Sequence, residues 1–226
     1  MYSFQDTHGA IRMQLSAANL PMKTLGMEFS DLDPSTAVDA AKSWIESVRE
    51  GKVIQAIGEK TCGLGLLFMG EPGRGKTTLA SVVLQELIRT MPKVSWGDPN
   101  SSIRRPVYFS DYPKLLRLQK NQWSDEKNQE NQLLLDSMYG EAGREYNIRV
   151  LVIDDLGKEY RTSTGWAENT FDALLRARFN AGLPTIITTN VKLAKWGQVY
   201  GEAMASFAHE SFIPFEVESS KGDRRK

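Results

Sequence analysis

Apolar positions in this chain follow two alternating patterns: short runs dense in Val, Ile, Leu and Phe, and longer stretches where apolar residues recur every three or four positions. The runs Leu64 to Met69, Pro106 to Ser110, Arg149 to Ile153, Pro184 to Thr189 and Phe212 to Val217 predict strands. Runs this short, rich in β-branched and aromatic residues, suit a sheet covered on both faces. Between them, Val38, Ala41, Ile45 and Val48 keep helical spacing behind an Asp33-Pro34 start, a cap followed by a first-turn proline, until Gly51 stops the pattern. Leu79, Val83 and Leu87 mark a second helix from Thr77 to Thr90, with Pro92 just beyond it. Trp166, Phe171, Leu174, Leu175 and Phe179 mark another, ended by Gly182. A short helix is predicted over Ile11 to Leu20, ended by Pro21, and the polar stretch Lys114 to Gly140 is helix-prone. Residues 93 to 105 form a predicted surface loop. Strands alternating with helices predict a three-layer α/β fold with a mainly parallel sheet, whose ligand lies beyond the carboxyl ends of the strands.

The first apolar run leads into Gly70-Glu71-Pro72-Gly73-Arg74-Gly75-Lys76-Thr77-Thr78, a complete G-x-x-x-x-G-K-[ST] phosphate loop between a predicted strand and a predicted helix. The helix opening at Lys76 starts with N–H groups that have no internal acceptor, and phosphate oxygens take them. Gly70, Gly73 and Gly75 permit backbone conformations that a Cβ would obstruct, so that successive N–H groups converge on the α/β-phosphates. Lys76 then reaches the β/γ oxygens and Thr77 is the expected Mg²⁺ ligand. The expected ligands are a nucleoside triphosphate and Mg²⁺.

Two further strand ends carry suitable chemistry. The third run ends in Asp154-Asp155, where Asp154 is placed to hold Mg²⁺ through its water shell and Asp155 to polarise the attacking water. The fourth ends at Asn190, whose amide could hold the lytic water or contact the γ-phosphate; an asparagine after Thr188-Thr189 also suits a turn. Parallel strands bring all three ends to one edge of the sheet.

Composition narrows the partners. With 226 residues the chain has room for one sizeable α/β domain. Lys plus Arg and Asp plus Glu each total 28, so the net charge is zero and any nucleic-acid contact must be local. Its candidates are Arg104, Arg105, Lys114, Arg117 and Lys120, with Trp123 for stacking on a base; Asp111, Asp125, Glu126 and Glu130 lie among them, as on a solvated helix surface. No apolar run reaches membrane-spanning length and the first residues have no signal-peptide pattern, so a cytoplasmic protein with no membrane contact is expected. The single cysteine, Cys62, reads as a packed residue, His8 and His209 lack metal-ligand spacing, and Trp44, Trp166 and Trp196 read as packing anchors.

These blocks together resemble a known family. Gly-Glu-Pro-Gly-Arg-Gly-Lys-Thr, Val-Leu-Val-Ile-Asp-Asp-Leu-Gly-Lys-Glu, Leu-Leu-Arg-Ala-Arg-Phe-Asn-Ala-Gly-Leu-Pro-Thr-Ile-Ile-Thr-Thr-Asn and Tyr200-Gly201-Glu202 occur in the order and spacing of the DnaC/IstB group of AAA+ ATPases. The resemblance runs from about Leu20 to the C-terminus. It implies a P-loop AAA+/ASCE core over residues 34–226; where DnaC-type loaders carry a separate N-terminal helicase-binding domain, this chain departs from the pattern with a short extension, residues 1–33, as the candidate partner contact. It further implies a five-stranded sheet of order 5-1-4-3-2, ATP bound between subunits of a homo-oligomer, and DNA held by a spiral of subunits. The function so implied is ATP-dependent help in loading a replicative helicase on single-stranded DNA; the alternative is an IstB-like, ATP-gated partner of a transposase. Gly222-Asp223-Arg224-Arg225 is similar to the family's terminal Asp-Tyr-Arg and makes Arg225 the candidate nucleotide-sensing arginine. Where the family's Ser-Arg-Leu-x-Glu supplies an arginine to the neighbouring subunit's ATP, this chain has Ser206-Phe207-Ala208-His209-Glu210. Slow hydrolysis by the isolated protein is therefore expected, with Arg176, Arg178 or Arg225 as replacements if another arginine reaches across.

Overall fold

Period-two alternation within the strands generates the layers. The computed structural model describes residues 4–53, 63–91, 105–120, 128–157 and 165–218. Its strands are β1 (Gly65–Met69), β2 (Val107–Asp111), β3 (Val150–Leu156), β4 (Thr185–Thr189) and β5 (Phe212–Glu216). All neighbours pair in parallel in the order β2-β3-β4-β1-β5, the order the resemblance implies, read from the other edge. Leu66, Phe68, Val107, Phe109, Val150, Val152 and Ile186 point into one core. Their neighbours Leu67, Tyr108, Leu151, Ile153 and Ile187 point into a second core on the opposite face.

The first face is covered by α1 (Phe4–Ala17), α2 (Thr36–Arg49) and α3 (Lys76–Thr90). The second is covered by α4 (Tyr112–Lys120), α5 (Asn128–Tyr139), α6 (Trp166–Asn180), α7 (Trp196–Tyr200) and α8 (Glu202–Ser211). Every central strand is thus apolar on both sides, which is why β1, β3 and β4 read as nearly continuous hydrophobic runs. Gly65 is required in β1 because a Cβ there would collide with the Thr185 carbonyl oxygen of β4.

Local boundaries differ from the sequence expectations for identifiable reasons. Helix α2 begins at Thr36, because the Ser35 hydroxyl accepts a bond from Val38 N–H at 3.3 Å and caps the helix in place of Asp33. The helix-prone stretch 114–140 overlaps two described helices, α4 and α5, the first of which begins two residues earlier, at Tyr112. Helices α7 and α8 were not anticipated. Trp44 and Trp196 are buried as expected, whereas Trp166, at the first turn of α6, is 38% exposed.

The chain between α1 and α2 is bound to the sheet. Ala18 C=O accepts from Phe109 N–H at 2.8 Å and the Asn19 amide donates back to Phe109 C=O at 2.7 Å, which covers the outer edge of β2. A 3₁₀ turn, Met22–Thr24, follows and packs on α3. Among the described residues no helix is long and apolar enough to cross a membrane.

Candidate nucleotide-binding site

The loop between β1 and α3 is shaped by its glycines. Gly70, Gly73 and Gly75 have φ of 142°, 82° and 93°, conformations that side chains strain to adopt. Gly75 is also the N-cap of α3, and no side chain caps that end. The first-turn N–H groups of a 15-residue helix therefore face the loop, with the positive end of the helix dipole behind them. Glu71 and Pro72 form its exposed crest, and Arg74 pairs with Glu71 at 3.2 Å.

Lys76 is 93% buried in this loop, its ammonium donating to Gly70 C=O at 2.7 Å, Glu71 C=O at 2.8 Å and Asn190 Oδ1 at 2.8 Å. The last bond joins the phosphate loop to the end of β4. Next to it, the Thr77 hydroxyl donates to Asp154 at 2.9 Å (Oδ1) and 3.2 Å (Oδ2), and Thr188 Oγ donates to Asp154 Oδ1 at 2.6 Å. Burial pushes the Asp154 carboxyl above the usual carboxylate range. The hydroxyls of Thr188 and Thr77 counteract that, Asp155 adds to the rise, and Lys23 opposes it.

The two carboxylates sit at a defect in the ladder. Ile153 pairs with Ile187 and Leu156 with Thr189, so β3 carries one more residue than β4 over this interval. Asp155 takes up the excess in the left-handed region, φ 66°, and its N–H donates to Thr188 Oγ at 2.9 Å. Thr188 thus accepts from the backbone N–H of Asp155 and donates to the carboxylate of Asp154, tying both residues to the cleft. Sequence reasoning missed this residue. The only signal was a threonine two positions before Asn190 on a strand adjacent to β3.

A cleft of about 220 Å³ opens among Gly75, Thr78, Asp155, Thr188 and Asn190. Its donors fit a triphosphate: glycine-rich backbone, a helix N-terminus and a buried ammonium. The Thr77 hydroxyl and Asp154 carboxylate fit Mg²⁺, which takes hard oxygen donors, few of them from protein, and keeps water and phosphate oxygens for the rest. In that arrangement Lys76 and the N-terminus of α3 would hold the phosphates; Asp155 lines the cleft beside them, and Asn190 fixes Lys76. Bound Mg²⁺ would supply positive charge to the phosphates.

Other expected residues lie elsewhere. Arg225, Cys62, Arg104 and Trp123 lie outside the described residues. Arg178 is fully buried and its guanidinium donates to Thr185 Oγ1 and to the carbonyls of Met138, Ile148, Arg149 and Pro184. It cannot reach a neighbouring subunit, which removes it as a replacement arginine. Arg176 is half-exposed and pairs with Asp172 one turn before it. Lys114, Arg117 and Lys120 form an exposed stripe on α4, opposite buried Tyr112, Leu115 and Gln119. Arg105 lies 5.3 Å above the Tyr108 ring.

Residues 66–192 match the family model described as ATPase family associated with various cellular activities (AAA). No curated protein sequence matches the chain significantly. The fold is similar to that of DnaI, with 20% identity, a TM-score of 0.61, and coverage of 94% of this chain and 99% of that one. It is also similar to the DnaC helicase loader, with 23% identity, a TM-score of 0.59, and coverage of 88% and 100%.

Proposed function

The chain belongs to the AAA family of ATPases, and from that premise we propose that it is an ATP-dependent DNA-replication protein that helps place a replicative helicase on single-stranded DNA. The observation that carries this reading is the likeness of fold to the DnaC helicase loader over that protein's whole chain, in a molecule whose strand ends hold a triphosphate constellation. ATP and Mg²⁺ bind at the cleft, with Gly70 to Thr78 around the phosphates and Thr77 and Asp154 at the metal. Asp155 orients the lytic water and Asn190 positions Lys76. ATP drives homo-oligomer formation, the basic face of α4 contributes to the DNA path, and residues 1–33 contact the partner. Exposed Met13, Met22 and Leu25 supply apolar surface for that contact.

The test is assembly with a hexameric replicative helicase from the same source, followed by size-exclusion chromatography with ATP, ADP or no nucleotide. Co-elution that needs ATP supports the reading. Absence of helicase binding, with ATP-dependent binding to a transposase instead, replaces it by the transposition role.

A further inference from the structure

The cleft receives a cation from outside the phosphate loop. Lys23, in the 3₁₀ turn before α2, lines it together with Lys76, Thr77, Asp155, Thr188 and Asn190. Its charge acts on Asp154, and among the described residues its ammonium has no hydrogen-bond or ion-pair partner.

The turn that carries Lys23 is held firmly. Thr24 is buried, its hydroxyl shares a hydrogen bond with Ser81 Oγ of α3 at 2.7 Å, and it donates to Pro21 C=O at 2.7 Å. Gln85, also on α3, clamps the backbone from both directions: its amide donates to Thr24 C=O at 2.8 Å and its carbonyl accepts from Gly26 N–H at 2.9 Å. Four residues before Lys23, Asn19 is bonded to β2. The backbone around Lys23 is therefore referenced to α3, the helix that starts at the phosphate loop, while its side chain remains exposed. A lysine placed only for solubility would not need buried polar clamps on the adjacent residue.

We propose that Lys23 contacts the terminal phosphate of the bound nucleotide in cis, so that the segment before α2 distinguishes a triphosphate from a diphosphate. The position along the phosphate chain follows from its neighbours. In phosphate-loop sites the metal lies beside the β- and γ-phosphates, and Lys23 shares the cleft with Asp155 while its charge acts on Asp154. Met22, 82% exposed, and Leu25, 43% exposed, flank it. Nucleotide state is thereby relayed to an apolar surface within two residues of the contact. The inference rests on the cleft being a nucleoside triphosphate site.

The experiment compares the full chain with Lys23→Gln and Lys23→Arg, measuring affinity for Mg²⁺-ATPγS and Mg²⁺-ADP by displacement of a fluorescent nucleotide. Loss of one charged hydrogen bond should weaken ATPγS about tenfold in Lys23→Gln, with ADP unchanged within about twofold and Lys23→Arg close to wild type. In the wild type, hydrogen exchange at the Gly26 amide should slow with ATPγS relative to ADP, and that difference should vanish in Lys23→Gln. Unchanged ATPγS affinity in Lys23→Gln, or equal losses for both nucleotides, overturns the proposal while leaving the nucleotide site intact. A wild-type chain that binds neither nucleotide overturns the site reading and this inference with it.

Discussion

The guanidinium of Arg176 lies 4.5 Å from the ring centroid of Phe207, held there by 2.9 Å bonds from its Nε to the carboxylate of Asp172. Phe207 is 94% buried and meets Phe179 edge to face at 5.3 Å. The position where the resemblance leads one to expect an arginine aimed at a neighbour is thus an inward packing position under an existing cation.

Turnover by the isolated protein should accordingly be slow, since an arginine supplied in trans is worth about 10³ to 10⁵ in rate. Phe207→Arg should not restore it. That change sets a second guanidinium beside Arg176 in an apolar cluster and should destabilise the fold by roughly 3 kcal/mol or more. Steady-state ATPase assays at self-associating concentrations, with thermal melts, check both. Fast turnover that Arg176→Ala abolishes would instead identify Arg176 as the acting residue.

Lys76→Ala should reduce ATP affinity on the order of a hundredfold, because a buried ammonium with charge-assisted bonds is lost where phosphate charge must be met. Asn190→Ala removes only the 2.8 Å bond that fixes Lys76. It should leave affinity within about tenfold and slow hydrolysis more than binding. Isothermal titration and single-turnover kinetics separate the two effects.

Asp154→Asn should raise the melting temperature of the nucleotide-free protein at pH 7 and abolish Mg²⁺-dependent ATP binding. Burial is the largest cause of the raised Asp154 pKa. Between the unfolded value of about 3.9 and the higher folded value, the native chain binds more protons, so stability falls as pH rises. The cost is absent below the unfolded value and complete above the folded one. Melts from pH 7 down toward pH 4 should show the advantage of the variant shrinking. A lower melting temperature at pH 7 would mean that the bonds from Thr77 and Thr188 outweigh burial.

Arg178→Met should cost about 3–5 kcal/mol, measured by urea unfolding. The guanidinium joins the ends of α5 and α6 to the starts of β3 and β4 through four carbonyls and a hydroxyl, all of which would lose a donor. Burial lowers its pKa to about 9, which leaves it charged at neutral pH. ATP affinity of the variant that remains folded should be unchanged, as the residue lies outside the cleft.

Replacing Lys114, Arg117 and Lys120 together by Gln should weaken single-stranded DNA binding and flatten its salt dependence. Each lost phosphate contact removes roughly 0.7 from the slope of log K against log salt, so three contacts remove about 2. Fluorescence anisotropy in ATP over a salt series gives the slope. An unchanged slope would move the DNA path away from α4.

The sequence by itself determined whatever is contiguous or periodic. The phosphate loop is one uninterrupted segment whose glycines set its backbone, so Gly70 to Thr78 were legible without any tertiary contact. Strands covered on both faces advertise themselves as apolar runs, and the resemblance supplied their order. What only the tertiary structure decided are relations between distant residues: the meeting of Lys76 with Asn190, 114 positions apart, and of Thr24 with Ser81, 57 apart. Thr188 between the two aspartates, the bulge that puts Asp155 at positive φ, and the burial of Arg178 arise from one strand's register against another. The inward turn of Phe207 and the approach of Lys23 to the cleft depend on how helices pack on the sheet. Sequence spacing sets which residues share a face; it leaves open which face of another element they meet, because that depends on chain crossings and side-chain volumes summed over the whole core.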